Sequence, residues 1–469
     1  MSDFIAAHPS GPLIWLSKLF WPIVIRLRHH VVCVKAVADG LQKFRKLRGS
    51  RVVICPNHPT ASDADIMFSF SRLVKENFHY LAAREVFRPH HGAHGFFLSR
   101  GGCFSIRRGI GDRASCRAVT KDLTNSRAKM VIFPEGELSH VFDELMPLEP
   151  GAAQLGFWAL EELEKTAKGE NLFMVPVAVS YAYAEDPRYF FDFAFDKLEE
   201  SLALAPAVEA THQDRLKQVS EHLLKVLEKS YDFHCQGNSL DSRLAVVRRS
   251  ILTRLAVMLG CETTENEIDL VHCLRDRLDH LQVAAKGECS YAERISQEKA
   301  LLASLLTRDL HRVLNLRFCL GKCTGDYAYQ EIGEALSLLE YEVLGEALPS
   351  AKRIALIMVG DAINLQTRLA VYEQDRHSTL QQVTNEIAGQ LKSMQADLLT
   401  EIKRLESVLI DPKGWSTYHR CEAAEQLCVA HNSEQQEKCK ESYLPEGNSI
   451  ERMRVDVGIA RRHASPPQS

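Results

Sequence analysis

The chain has 469 residues, 45% hydrophobic and 25% charged, with a formal net charge of −4. That length suits two or three domains and that composition suits a globular protein with a substantial core, while the slightly acidic balance argues against nucleic acid as a partner. Thirteen cysteines, an odd number without framework spacing, point to a reducing compartment rather than a disulfide-stapled scaffold.

Residues 1–50 are both basic and oily. Residues 1–51 hold nine Lys and Arg against Asp3 and Asp39. The apolar runs 13–16 and 19–25 are broken by Lys18 and Pro22 and followed by Arg26 and Arg28, so they are too short to span a bilayer. No small-residue cleavage site follows, and the charge lies on the wrong side for a signal peptide. The segment is expected to associate with a membrane surface, with Trp15, Phe20 and Trp21 at headgroup depth and its cations toward anionic lipid. The alternative is a helical pair packed on the protein's own core.

Residues 51–55 read as a short buried strand. Ser62 with Asp65 three positions later has the spacing of a capping box, so a helix is expected to begin near Ser62. Between them, His58 falls on a loop and Asp63 in the first helical turn. A loop folded back there lets the carboxylate receive one ring N–H and leaves the other ring nitrogen to accept a proton. His58 and Asp63 are thus a candidate base and its orienter.

Three later segments have a matching form: 101–108 (GGCFSIRR), 131–137 (VIFPEGE) and 175–180 (VPVAVS). Each is an apolar, strand-like run containing or ending in Gly, Pro or a charge, and strand ends at the edge of an α/β sheet are where ligands bind. NHxxxxD, GxxFxxR, FPEG and VPVA, in this order, resemble the motif blocks of the glycerolipid acyltransferase superfamily, the lysophosphatidate acyltransferase-like enzymes. The resemblance covers residues 45–185. It implies a mixed-sheet α/β acyltransferase domain, placed here at 51–235.

The resemblance also implies roles. His58 would take the proton from an acceptor hydroxyl and Asp63 would hold its imidazole in the right tautomer. The hydroxyl oxygen would attack the thioester carbonyl of acyl-CoA or acyl-carrier protein. Gly101 or Gly102, with Arg107 and its neighbour Arg108, would serve the acceptor phosphate. Glu135 and Gly136 would line the same acceptor site, and Pro176 would lie beside the donor pocket. The chemistry is consistent: an alcohol needs a positioned base, worth about 10²–10⁴-fold, and a guanidinium fork suits a phosphate. A thioester is already activated, so no protein nucleophile is required.

One departure bears on the acceptor. The family's third block commonly carries an arginine two positions after its glycine, and here that place is Leu138. Arg107, Arg108 or Arg113 could compensate, or the acceptor could be a larger lysophospholipid or another alcohol without a phosphate monoester. Cys55 lies in a strand and is expected to be buried, against a covalent cysteine mechanism. His90, His91 and His94 have no Cys or carboxylate partners at useful spacing, so no metal site is expected. Arg113 and Arg117 read as a solvated helix face.

Residues 215–231 have a helical rhythm that closes the acyltransferase domain, and 237–239 read as a linker. From there to residue 411 the pattern reads as an all-α domain, 240–411, of unknown role. Thr264 with Glu267 and Ser378 with Gln381 mark helix starts. From Leu380 to Leu409 apolar residues step by three and four without a break, and Pro412 ends the run. That stripe is expected to be bundle core. Cys319 and Cys323 read as buried small hydrophobes, and His272, His280 and His311 as ordinary helical residues. Residues 412–469 read as partly helical, then a disordered tail.

Together these expectations describe an O-acyltransferase that moves a fatty acyl group onto a glycerol-phosphate or lysophospholipid hydroxyl. It would work without metal or organic cofactor, cytoplasmic and peripheral at the inner face of a membrane, with room for a protein partner on the helical domain. The rivals are a non-catalytic lipid-binding scaffold and a lipid or thioester hydrolase, in which water replaces the alcohol.

Overall fold

The computed structural model describes residues 4–410 apart from 88–92, 108–111, 128, 141, 143–144, 167–168, 206–208, 233–239 and, between 264 and 327, all but scattered helical residues. These described residues belong to one compact unit, residues 1–415. Arg108, His90, His91, Cys319, Cys323, His272, His280, His311, Thr264, the linker at 237–239, Pro412 and the 412–469 tail lie outside the described residues.

Helix α1 (Gly11–His29) leads into β1 (Val31–Ala36), and the short α2 (Gly40–Arg45) precedes β2 (Arg51–Pro56). Then follow α3 (Asp63–Val74), β3 (Phe78–Ala83), α4 (Ala93–Arg100), β4 (Cys103–Ile106), α5 (Arg113–Asn125), β5 (Lys129–Val131), α6 (Gly151–Thr166) and β6 (Leu172–Tyr183). A helical region comprises α7 (Arg188–Ser201), α8 (His212–Ser230), α9 (Leu240–Leu259) and α10 (Ala328–Val343). The chain then returns to the sheet through β7 (Arg353–Val359) and β8 (Ile363–Asn364), and α11 (Leu369–Gln374) and α12 (Arg376–Leu409) follow.

The eight strands form one mixed sheet in the order β1-β7-β6-β2-β5-β3-β4, with β8 also on β6. β2 is parallel to β5 and β6, and β3 to β4 and β5. The C-terminal ends of these five strands therefore share one edge. A parallel strand covered on both faces must be apolar on both, which is why β2 reads as an unbroken run and is buried throughout.

The expected α/β domain with a helical region is what the chain forms, but residues 240–411 are not helical throughout. β7 lies between β1, to which it is parallel, and β6, to which it is antiparallel. The stripe from Leu380 to Leu409 is buried, but against the sheet rather than inside a helical bundle: α12 packs along β6. Periodicity tells which face of a helix is buried, not what covers it. The core of the helical region is built from Phe191, Leu198, Leu223, Leu255 and Leu336 among others, and takes in Tyr183 at the end of β6.

Pro176 sits within β6, opposite Cys55 of β2. β7 pairs with β6 from Val177 onward and β8 pairs with Phe173 and Met174. Pro176 falls in the gap between these two partners, where its carbonyl accepts from Gly360 N–H at 2.9 Å. A residue without an N–H is tolerated at such a break in the ladder.

Candidate active site

The site begins where β2 stops. Asn57 extends the strand by clamping β6: its Nδ2 donates to the Val179 carbonyl at 3.1 Å, and its Oδ1 accepts from Val179 N–H at 2.7 Å. The chain then turns, and His58 Nδ1 lies 3.0 Å from Asp63 Oδ2. Asp63 is 0% exposed and sits at the first turn of α3, as the spacing predicts.

A buried charge must be satisfied, and Asp63 is. Its Oδ2 also accepts from Thr60 N–H at 2.8 Å, and its Oδ1 from Thr60 Oγ1 at 3.0 Å and Tyr181 Oη at 2.6 Å. Burial, with the Asp63 charge beside it, pushes the Tyr181 phenol well above its ordinary value, so it remains a donor. The capping box is absent. Ser62 precedes α3 without capping it through its side chain, because its hydroxyl is within 2.6 Å of Thr60 Oγ1 and 2.9 Å of Tyr181 Oη. Asp65 turns away to His29, at 2.5 Å.

With Nδ1 facing a carboxylate, the imidazole carries its hydrogen there and presents Nε2 as an acceptor. The ring stacks on Phe133, centroids 4.0 Å apart and planes inclined by 23°. It is 18% exposed, enough to meet a substrate. The His58 backbone is fixed as firmly as its ring. Its N–H donates to Glu135 Oε1 at 2.6 Å, and its carbonyl accepts from Ser139 N–H at 2.9 Å.

Glu135 is 5% exposed, and its second oxygen accepts from Met146 N–H at 3.2 Å. It ties the loop after β2 to the loop after β5. Burial pushes its carboxyl up to about 7, the Asp63 charge adds to this, and the two backbone N–H groups oppose it. Gly136 holds φ 69° in the same turn, a conformation that favours glycine.

Arg107 follows β4 and so belongs to the same sheet edge, three strands from β2, roughly 14 Å at strand level. Its backbone N–H donates to Asp112 Oδ2 at 3.2 Å, and Arg84 reaches the same oxygen at 3.5 Å. Gly101 and Gly102 are elsewhere: they form the turn from α4 into the start of β4, at the opposite end of that strand from Arg107. Gly102 holds φ 95°, and a Cβ there would stand 2.6 Å from His79 Cδ2. Their position requires glycine for turning and close packing. Pro176 lies beneath the site, level with Cys55 and three residues short of His58.

Thr60, Tyr181, Phe133 and Ser139 were not singled out from the sequence. Thr60 stands inside the NHPTASD segment, and Tyr181 ends the apolar run after VPVAVS. Cys55 and Cys103 are buried, and burial raises both thiols, Cys103 to about 12, away from the reactive thiolate. His94 Nδ1 lies 2.8 Å from the Val86 carbonyl. Arg113 and Arg117 are exposed on α5. The helical region also reaches the loop after β5: Arg275 pairs with Glu137, and His140 Nδ1 lies 2.6 Å from Glu334 Oε1.

Residues 37–180 match the acyltransferase family model, which spans β2 through the first residues of the β6–β7 pairing. A comparison with curated proteins finds no match. The matched span contains His58, Asp63, Arg107, Glu135 and Pro176, and the segment 37–180 is thus an acyltransferase domain of the glycerolipid acyltransferase family.

Proposed function

We propose that the protein is an O-acyltransferase that moves a fatty acyl group from acyl-CoA, or acyl-carrier protein, to a hydroxyl of a glycerol-phosphate or lysophospholipid. The observation that carries this is the contact between His58 and a wholly buried Asp63 whose two oxygens are filled by Thr60 and Tyr181. His58 Nε2 takes the acceptor's hydroxyl proton as the oxygen attacks the thioester carbonyl. The tetrahedral intermediate then expels the thiolate, which collects the proton from the imidazolium. Atoms and charge balance with no group beyond donor and acceptor. Arg107, at the same edge, supplies a cation for the acceptor's phosphate.

The acceptor is drawn from a membrane surface, at the cytoplasmic face. Among the described residues no helix is long and apolar enough to cross a membrane. α1 instead exposes Trp15, Leu16, Leu19, Phe20, Ile23 and Leu27 along one side.

The test is product mass spectrometry after mixing the protein with acyl-CoA and a panel of lysophospholipids and glycerol 3-phosphate. Acylated acceptor with equimolar free CoA is expected. Steady release of free fatty acid, unchanged by any acceptor, would make the protein a hydrolase, and no turnover under any condition would leave it a lipid-binding scaffold.

A further inference from the structure

A cleft of about 350 Å³ lies between α1 and the end of α3, lined by Trp15 and Lys18 from the first and by Arg72, Lys75 and Asn77 from the second. It is remote from His58. Asp63 begins α3 and the cleft lies past its end, roughly 17 Å along the helix.

The cleft is cationic and under-used. Lys18 Nζ donates to the Glu76 carbonyl at 2.6 Å and to Asn77 Oδ1 at 3.0 Å. An ammonium has three donors, so one remains for the cleft. Burial lowers the Lys18 pKa and the Glu76 charge opposes that, so an anion in the cleft would stabilise the charged amine. Arg72 and Lys75 are exposed, and among the described residues their side chains make no hydrogen bond or ion pair. Glu76, whose charge acts on Lys18, also lies 4.0 Å from Arg48.

A second feature decides the kind of anion. Trp15 lines the cleft and also begins the exposed stripe of α1, whose members are 46–76% exposed. A soluble anion would fill the cleft and leave that stripe in water. A phospholipid in a bilayer covers both, with its acyl chains along the stripe and its phosphate among the cations. The far end of α1 reaches the catalytic helix: Trp21 Nε1 donates to the Asp65 carbonyl at 3.0 Å, and His29 meets the Asp65 side chain. A membrane-bound α1 is therefore fastened two residues from Asp63.

We propose that the cleft between α1 and the end of α3 is a non-catalytic site for the phosphate of an anionic phospholipid headgroup, holding the protein on the membrane; this rests on the membrane-surface reading above. The test is vesicle flotation of the full chain with phosphatidylcholine vesicles, with and without phosphatidylserine. Arg72→Gln/Lys75→Gln is compared with a control pair of exposed lysines elsewhere, Lys217→Gln/Lys392→Gln, after thermal melts establish that all are folded. The expected result is a loss of about tenfold or more in affinity for the anionic vesicles in the first variant and under about twofold in the control, with weak binding to phosphatidylcholine alone unchanged. Equal losses in the two variants would overturn the site, since nonspecific charge would then account for binding. Wild-type protein that floats with neither vesicle would overturn the membrane reading itself. Tight binding of inorganic phosphate without vesicles, abolished in Arg72→Gln/Lys75→Gln, would make the cleft a soluble-anion site and overturn the lipid assignment.

Discussion

The His58 end of the sheet and the outer face of α1 invert the ordinary distribution of side chains in opposite ways. At the first, a carboxylate is wholly buried and held by donors from Thr60 and Tyr181 beside the ring of His58. At the second, large apolar side chains from Trp15 to Leu27 stand in water. Each arrangement opposes stability taken alone: burying a charge costs desolvation, and exposing an apolar stripe forgoes burial. Stability does not explain either one; the proton transfer proposed above would account for the first and the proposed contact with lipid for the second. The difference also predicts how each region fails. Changes at the sheet edge should reduce turnover, and changes on α1 should reduce attachment.

The largest effect after loss of the base itself is expected at its orienter. Asp63→Asn should lower kcat at least about 100-fold, because an amide both removes the charge beside the imidazole and places donors against Thr60 and Tyr181. Steady-state release of CoA measures it; a loss under threefold would break the comparison at its first side. Tyr181→Phe removes one donor from Asp63 and retains the ring. A loss of about tenfold in kcat with little change in KM is expected, together with about 1 kcal/mol of stability. A change confined to melting temperature would make Tyr181 a packing residue only.

Glu135 gives a pH test. Its folded carboxyl titrates near 7, above the ordinary 4.5, so the folded protein holds the proton more tightly than the unfolded chain. Its contribution is present in full below about 4.5 and is lost as pH rises through about 7, by roughly 3 kcal/mol at most. Glu406, pushed up to about 7 by burial, acts in the same direction. Denaturant midpoints between these pH values should fall for wild type and fall less for Glu135→Gln; an identical slope would contradict the burial of this charge. Smaller still, Glu334→Gln should lower kcat a few-fold by loosening the contact between the helical region and His140. Asp65→Asn should leave kcat with soluble short-chain substrates within about threefold while weakening the α1 attachment, since Asp65 pairs with His29 rather than with His58.

Much of the parallel part of the sheet was legible: β2 and β4 are short apolar runs that end in loop signals, the run 175–180 falls inside the longer β6, and the run 131–137 begins where β5 ends. The strand β7 was not. Its partners are β1 and β6, 170 or more residues upstream, and a seven-residue apolar run among helical patterns does not announce them. At Ser62 and Ser378 the expected side-chain caps are absent for a local reason. The Ser62 hydroxyl is occupied by Thr60 and Tyr181, and Asp375, not Ser378, caps α12 by accepting from Ser378 N–H. His58 and Asp63 were visible because five positions suffice to bring them together. Tyr181 was not, because it meets Asp63 across 118 positions, a pairing only the fold creates. The glycines at 101 and 102 stood out as a motif, yet they lie at the other end of β4 from Arg107, for reasons of backbone and packing.

The central claim is that the His58 ring removes the acceptor's proton. Its most direct test is CoA release by His58→Ala, with acyl-CoA and the acceptor that wild type uses best, in a variant whose melting temperature is within a few degrees of wild type. The loss expected is about 10²–10⁴-fold in kcat, with acyl-CoA binding retained. Turnover within threefold of wild type in that folded variant would contradict it.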